Sequence, residues 1–189
     1  MSTAVMTQPA AATSPQRTAR IAGVFYLLCI ITGLYALRFP RAPLAVASGL
    51  FAAACYIVVT VLFYRLFKPV NRTLSLIAAI VSLVGCVFGP VSVLLPPALR
   101  INPLVFFGFY CLMIAYLIFN STFLPRPLAF GMMAAGICWL TFLSPQWAKS
   151  LLPYNSLPGL IGEGALTLWL LVKGVDAERW KQQASGRRV

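Results

Sequence analysis

Glu163 stands inside the apolar run Leu157-Pro158-Gly159-Leu160-Ile161-Gly162-Glu163-Gly164-Ala165-Leu166-Thr167-Leu168-Trp169. The other two acidic residues, Asp176 and Glu178, belong to the polar end of the chain. Ser156, Gly159, Glu163 and Thr167 recur at helical spacing and so share one face. A carboxyl with hydroxyls along the same face is equipment for holding a ligand or an ion. Glu163, Ser156 and Thr167 are therefore the candidate contacts. An ionisable group at membrane depth is costly unless it faces a bundle interior, a cavity or a partner. The same carboxyl could instead be a strut, bonded to Arg100, Lys149, Tyr26, Tyr56 or Tyr110. The flanking Gly162 and Gly164 would let another helix approach closely.

Other chemistry is sparse. The chain has no histidine, which removes the commonest metal ligand and general base. Its five cysteines, Cys29, Cys55, Cys86, Cys111 and Cys138, fall in separate apolar runs without a CxxC pair, as small packing residues would. No metal, cofactor or disulfide framework is expected from them. There is no phosphate-binding glycine loop, nucleophile–base pair or second buried acid, so catalysis is disfavoured.

Composition explains why these residues sit in apolar runs. Hydrophobic residues make up 60% of the 189 positions and charged residues 10%. A soluble domain of this size cannot bury so much apolar surface, so the elements that carry Glu163 are expected to be membrane helices. The net charge of +12 does not point to nucleic acid, because the lysines and arginines lie between the apolar runs and at the chain ends. The lipid bilayer is the expected partner.

Six runs approach the roughly 20 residues that a bilayer requires. They cover 19–37, 42–67, 73–95, 103–119, 127–143 and 156–175. Pro103 and Pro127 suit first helical turns, and Pro158 could start the sixth helix. Short connections make successive helices antiparallel neighbours. Residues 144–153 are too short to span, and Trp147, Lys149, Leu151 and Leu152 suit an interfacial stretch. Tyr64, Tyr116, Trp147, Tyr154 and Trp180 read as interfacial belt residues. Residues 1–16 have no apolar core and are expected to form a disordered cytoplasmic tail rather than a signal peptide. Residues 177–189 are a charged cytoplasmic tail that would prolong the last helix into water.

Charge orients the spans. Eleven of the fifteen Lys and Arg fall at the N-tail, the second and fourth connections and the C-terminal end. The remaining four are Arg38, Arg41, Arg100 and Lys149. The positive-inside rule then puts both termini in the cytoplasm. In the third span, Gly85 and Gly89 form a GxxxG packing pattern, and Pro90 is expected to kink the helix.

Three stretches carry a family likeness: Arg20-Ile21-Ala22-Gly23-Val24-Phe25-Tyr26-Leu27-Leu28, Tyr64-Arg65-Leu66-Phe67-Lys68-Pro69-Val70-Asn71-Arg72, and 157–175. Phe106-Phe107-Gly108 and Phe123-Leu124-Pro125-Arg126 add to it. Over residues 17–175 the chain resembles the bacterial integral membrane family catalogued as domain of unknown function 4386. The resemblance implies a multi-pass protein of the bacterial cytoplasmic (inner) membrane, and it brings no established activity. The family's glutamate in the last span matches Glu163. The chain departs from the pattern in its short connections after the first and third spans, and in Tyr110 where members often carry histidine.

The expected architecture is thus all-α, a polytopic membrane helix bundle of six transmembrane helices with both termini cytoplasmic. A disordered tail, 1–16, precedes the membrane domain, 17–176. Two functions remain open: binding or permeation of a small or lipidic ligand at Glu163, or a membrane interaction or regulatory subunit with no ligand site. A hydrated cavity touching Glu163 favours the first, and a solid core the second.

Overall fold

The computed structural model describes residues 14–92, 96 and 101–186. The described residues form helices and turns, with no strand among them. The helices are α1 (Pro15–Arg38), α2 (Ala45–Phe67), α3 (Arg72–Ser92), α4 (Leu104–Phe119), α5 (Pro127–Leu140), α6 (Pro145–Leu151), α7 (Leu157–Val172) and α8 (Ala177–Ala184). Proline opens α1, α5, α6 and α7, where its missing N–H costs nothing. Ser14 caps α1 by accepting from the Arg17 amide, and Asp176 caps α8 by accepting from the amides of Glu178 and Arg179.

α1, α2 and α3 are long and apolar enough to cross a membrane. The expectation of six runs near 20 residues is met less well in the second half, where α4 has 16 residues, α5 has 14 and α7 has 16. A 3₁₀ turn, Thr141–Leu143, prolongs α5, and another, Tyr154–Ser156, leads into α7. Pro90 lies within the last turn of α3, while residues 93–95 of the expected third span fall outside the described residues.

α1 packs on α2, α2 on α3, α3 on α4, α4 on α5, α5 on α7, and α7 back on α1. The six helices therefore close a ring around a shared interior. Glycines set the tightest seams. A Cβ on Gly136 would come 2.9 Å from the Gly108 carbonyl oxygen, so α4 and α5 touch backbone to backbone. A Cβ on Gly162 would strike the Gly131 carbonyl, so the same holds for α5 and α7. Such close approach through small residues drives association where lipid leaves little hydrophobic force between helices.

The start of α1 and the end of α7 meet at one end of the ring. Gln16 donates from Nε2 to the Lys173 carbonyl at 2.8 Å and accepts from the Val175 amide at 2.8 Å. The last helix does not run on into the tail as expected. Gly174, at φ +70°, ends α7 in the left-handed region, and α8 starts afresh. α8 then lies across the end of the bundle. Trp180 Nε1 donates to the Leu66 carbonyl at 2.8 Å, and Gln183 Nε2 donates to the Asn120 carbonyl at 3.1 Å. Trp180 thus docks α8 against the end of α2. The expected 1–16 tail is also shorter than drawn, because α1 begins at Pro15, while residues 1–13 fall outside the described residues.

Between 144 and 153, α6 forms a short helix with Trp147 and Leu151 exposed, next to exposed Leu152 and Tyr154.

The core is not uniform along the ring axis. In the half nearest the termini it is solid: Phe63, Phe67, Ile114, Ile118, Leu166 and Leu170 are each at most 2% exposed. On α1 the inward stripe of Ala19, Ala22 and Tyr26 is fully buried, and the same stripe becomes partly exposed from Cys29 and Ile30 onward. The stripe of Leu128, Met132 and Ala135 on α5 changes likewise at Trp139. Phe107, toward the same far end of α4, is also partly exposed. Above the middle of the ring the inward stripes of α1 and α5 are thus partly exposed, while Ala52, Cys55, Cys86 and Val105 stay buried.

Candidate functional site

Glu163 lies where the inward stripes of α1 and α5 change. Pro158 opens α7, and Gly162 presses that helix onto α5, which sets the height and rotation of the next residue. Gly159 adds a second constraint, because a Cβ there would strike the ring of Trp139. The indole lies flush on the α7 backbone, and its N–H is aimed up the helix. Trp139 Nε1 donates to Glu163 Oε1 at 2.7 Å, and Cys111 Sγ on α4 lies 3.5 Å from the same oxygen. Glu163 is partly buried, with its carboxyl turned between α4 and α5.

Tyr26 of α1 supplies the next polar group, but its hydroxyl stops short of hydrogen-bond geometry. Tyr26 packs edge-to-face on Tyr56 of α2, with ring centroids 5.6 Å apart, and Tyr56 packs on Tyr110 of α4 at 5.8 Å. Phe107 closes on Tyr56 at 4.7 Å. All three tyrosine hydroxyls are buried and none meets hydrogen-bond geometry, although Tyr26 faces Tyr56 and Glu163, and Tyr110 faces Thr60. Buried polar groups are normally bonded, and each exception in a folded protein calls for an explanation such as a water or ion. Beyond them, Thr60 Oγ1 donates to the Tyr56 carbonyl at 2.8 Å and lies 2.6 Å from Ser82 Oγ. A polar layer thus crosses the ring at mid-height, with a member on each of its six helices.

The other two residues of the predicted stripe are spent elsewhere. Thr167 is buried, but its hydroxyl donates to the Glu163 backbone carbonyl at 2.7 Å. Ser156 sits before α7 and donates to Asn155 Oδ1 at 3.5 Å. Asn155 in turn donates to Thr141 Oγ1 at 3.1 Å and ties the foot of α7 to the end of α5. Thr167 and Ser156 thus shape the helix that carries the carboxyl.

The strut partners considered from sequence fare differently. Lys149 makes no ion pair with Glu163, since the single ion pair among the described residues joins Arg179 and Asp176. Arg100 falls outside the described residues. Trp139 and Cys111, which touch the carboxyl, were not anticipated. A signal for the tyrosines was present, because Tyr26, Tyr56 and Tyr110 lie deep in their apolar runs and belt tyrosines lie at the ends. All five cysteines are free thiols. No group of three or more metal-ligating side chains occurs among the described residues.

The electrostatics are one-sided. Every described lysine and arginine is exposed, so the interior holds one carboxyl and no described basic side chain. Such a group needs a proton or a visiting cation as its counter-charge.

No curated protein and no solved structure matches the chain. A family model described as "Domain of unknown function (DUF4386)" matches residues 41–102 and 98–174. The match takes in Tyr56, Tyr110, Cys111, Trp139 and Glu163, and so most of the polar layer. The chain belongs to this family, DUF4386.

Proposed function

We propose that the chain is a six-span protein of the bacterial cytoplasmic membrane that binds or passes a small or lipidic ligand at Glu163. The spans are α1 to α5 and α7, within a membrane domain of residues 17–176, and both termini are cytoplasmic. Alternating helix directions and the distribution of Lys and Arg support this orientation. Reporter fusions after residues 40, 70, 124 and 150 test it. Cytoplasmic signals are expected at 70 and 124 and periplasmic ones at 40 and 150, and a periplasmic signal at 70 overturns the topology.

One observation carries the ligand reading. A carboxyl stands where the inward stripes of α1 and α5 pass from buried to partly exposed, beside three buried hydroxyls that meet no hydrogen-bond geometry. Ser156 and Thr167 belong to the site as residues that position α7. The test is native mass spectrometry of the full chain, extracted into lipid nanodiscs, beside Glu163→Gln. A non-covalent mass on the wild type that is lost in the variant, with both chains equally folded, is expected. A bare wild type, together with a variant that melts at lower temperature, would make Glu163 a strut and reject the reading.

A further inference from the structure

The ligand's chemistry can be narrowed further, on the reading that Glu163 marks a binding site. Four observations bear on it. The carboxyl's Oε1 accepts from the Trp139 indole and the Cys111 thiol, which fixes the group's orientation. No described lysine or arginine lies in the interior to neutralise it. The hydroxyls of Tyr26, Tyr56 and Tyr110 are at least nine-tenths buried and form no bond of good geometry, so each has acceptor capacity left to offer. The surrounding wall is aromatic: Trp139, Phe107 and the three tyrosines.

An anion would find no cationic partner among the described residues and would be repelled by Glu163 whenever the carboxyl is ionised. A neutral apolar molecule would give the tyrosine hydroxyls no new partner and the carboxyl no counter-charge in a low-dielectric interior. A divalent metal would find one carboxylate and no cluster of ligating side chains among the described residues. A cation with several N–H donors meets every requirement. Its charge pairs with Glu163, its remaining N–H groups reach tyrosine oxygens, and its carbon skeleton lies against aromatic rings that attract cations.

We propose that the Glu163 site takes a small protonated amine, which enters from the end of the ring opposite the termini. The direction follows from the packing. Toward the termini the interior is closed by Phe63, Phe67, Ile114, Ile118, Leu166 and Leu170. Toward the other end, Cys29, Phe107 and Trp139 on α1, α4 and α5 keep part of their surface accessible, whereas Ala52, Cys55, Cys86 and Val105 are buried, so the approach is along α1 and α5.

The test compares one carbon skeleton in three charge states. Butylammonium, 1-butanol and butanoate are each titrated into the full chain in detergent, with sodium chloride as a fourth probe. Binding is read by calorimetry and by the thermal unfolding midpoint. Butylammonium is expected to bind and raise the midpoint, and the other three to do neither. Glu163→Gln should weaken butylammonium binding at least tenfold. Tyr56→Phe, which keeps the ring, should weaken it several-fold, and it provides a second arm if Glu163→Gln folds poorly. Equal binding of butanol, unaffected by Glu163→Gln, overturns the amine assignment and leaves a ligand site of apolar chemistry. Equal stabilisation by sodium overturns it in favour of an inorganic ion. If no probe binds and Glu163→Gln only lowers the midpoint, the amine assignment and the binding reading both fall.

Discussion

Gly162→Val is expected to stop the folded bundle from accumulating. The valine Cβ would occupy the space of the Gly131 carbonyl, with the Ala135 methyl beyond it. Both are parts of a neighbouring helix and cannot swing aside as a flexible side chain would. α5 and α7 would have to separate, and α7 closes the ring onto α1. Overpacking in a well-packed interior costs about 1–3 kcal/mol, and a backbone collision lies at the upper end of that range. Such a loss is a large share of the stability of a small domain. Size-exclusion profiles of detergent extracts should show aggregate in place of the wild-type peak. Gly164→Ala is the control, because its Cβ would meet nothing within 4 Å and alanine favours helix. Equal yields of the two variants would show that the α5–α7 seam is not packed as described.

Removing the Glu163 acceptor altogether should cost about 1–2 kcal/mol. Glu163→Ala leaves the Trp139 indole N–H and the Cys111 thiol facing a gap. A buried donor left unpaired costs about 1–3 kcal/mol, while hydrogen bonds measured within membranes average about 0.6 kcal/mol, so the expected loss lies between these values. Glu163→Gln retains an oxygen for Trp139 and should fall within about 1 kcal/mol of the wild type. The measurement is the thermal midpoint of each purified variant, followed by tryptophan fluorescence. Alanine and glutamine variants that melt together would mean the indole bond contributes nothing, and the glycine that seats the ring would then need another explanation.

Much of the helix layout was legible in the sequence because apolar run length is a one-dimensional property. α1, α2 and α3 follow from uninterrupted runs, and the openings of α5 and α7 follow from Pro127 and Pro158. The end of α7 was misread. Gly174 follows Val172 and Lys173 as a helix-terminating glycine does, and taking the charged residues beyond it as a continuation hid α8. Glu163 was visible as the lone acid in an apolar run. Its partners were not, because the crossing of α5 over α7 is set by Gly131 meeting Gly162, a match between residues 31 positions apart. The indole of Trp139 reaches the carboxyl only once that crossing exists. Ser156 and Thr167 show the converse: helical spacing put them on the right face, while backbone and local side-chain acceptors had the stronger claim on their hydroxyls.

The unequal heights of the six ring helices bear on the surrounding lipid. α1 has 24 residues and reaches about 36 Å, whereas α4 and α7 have 16 each and reach about 24 Å. A hydrocarbon layer of about 30 Å is shorter than the first and taller than the other two. α1 meets that layer by leaning. On the proposed six-span topology, α4 and α7 would meet it by drawing the acyl chains inward, which thins the bilayer along one flank of the protein. That flank borders the helices that carry Glu163 and Cys111. Water and headgroups would then stand nearer the carboxyl than in an undisturbed leaflet. The protein should also be enriched where acyl chains are short, and lipid chain length becomes a control on the site that requires no change in any side chain.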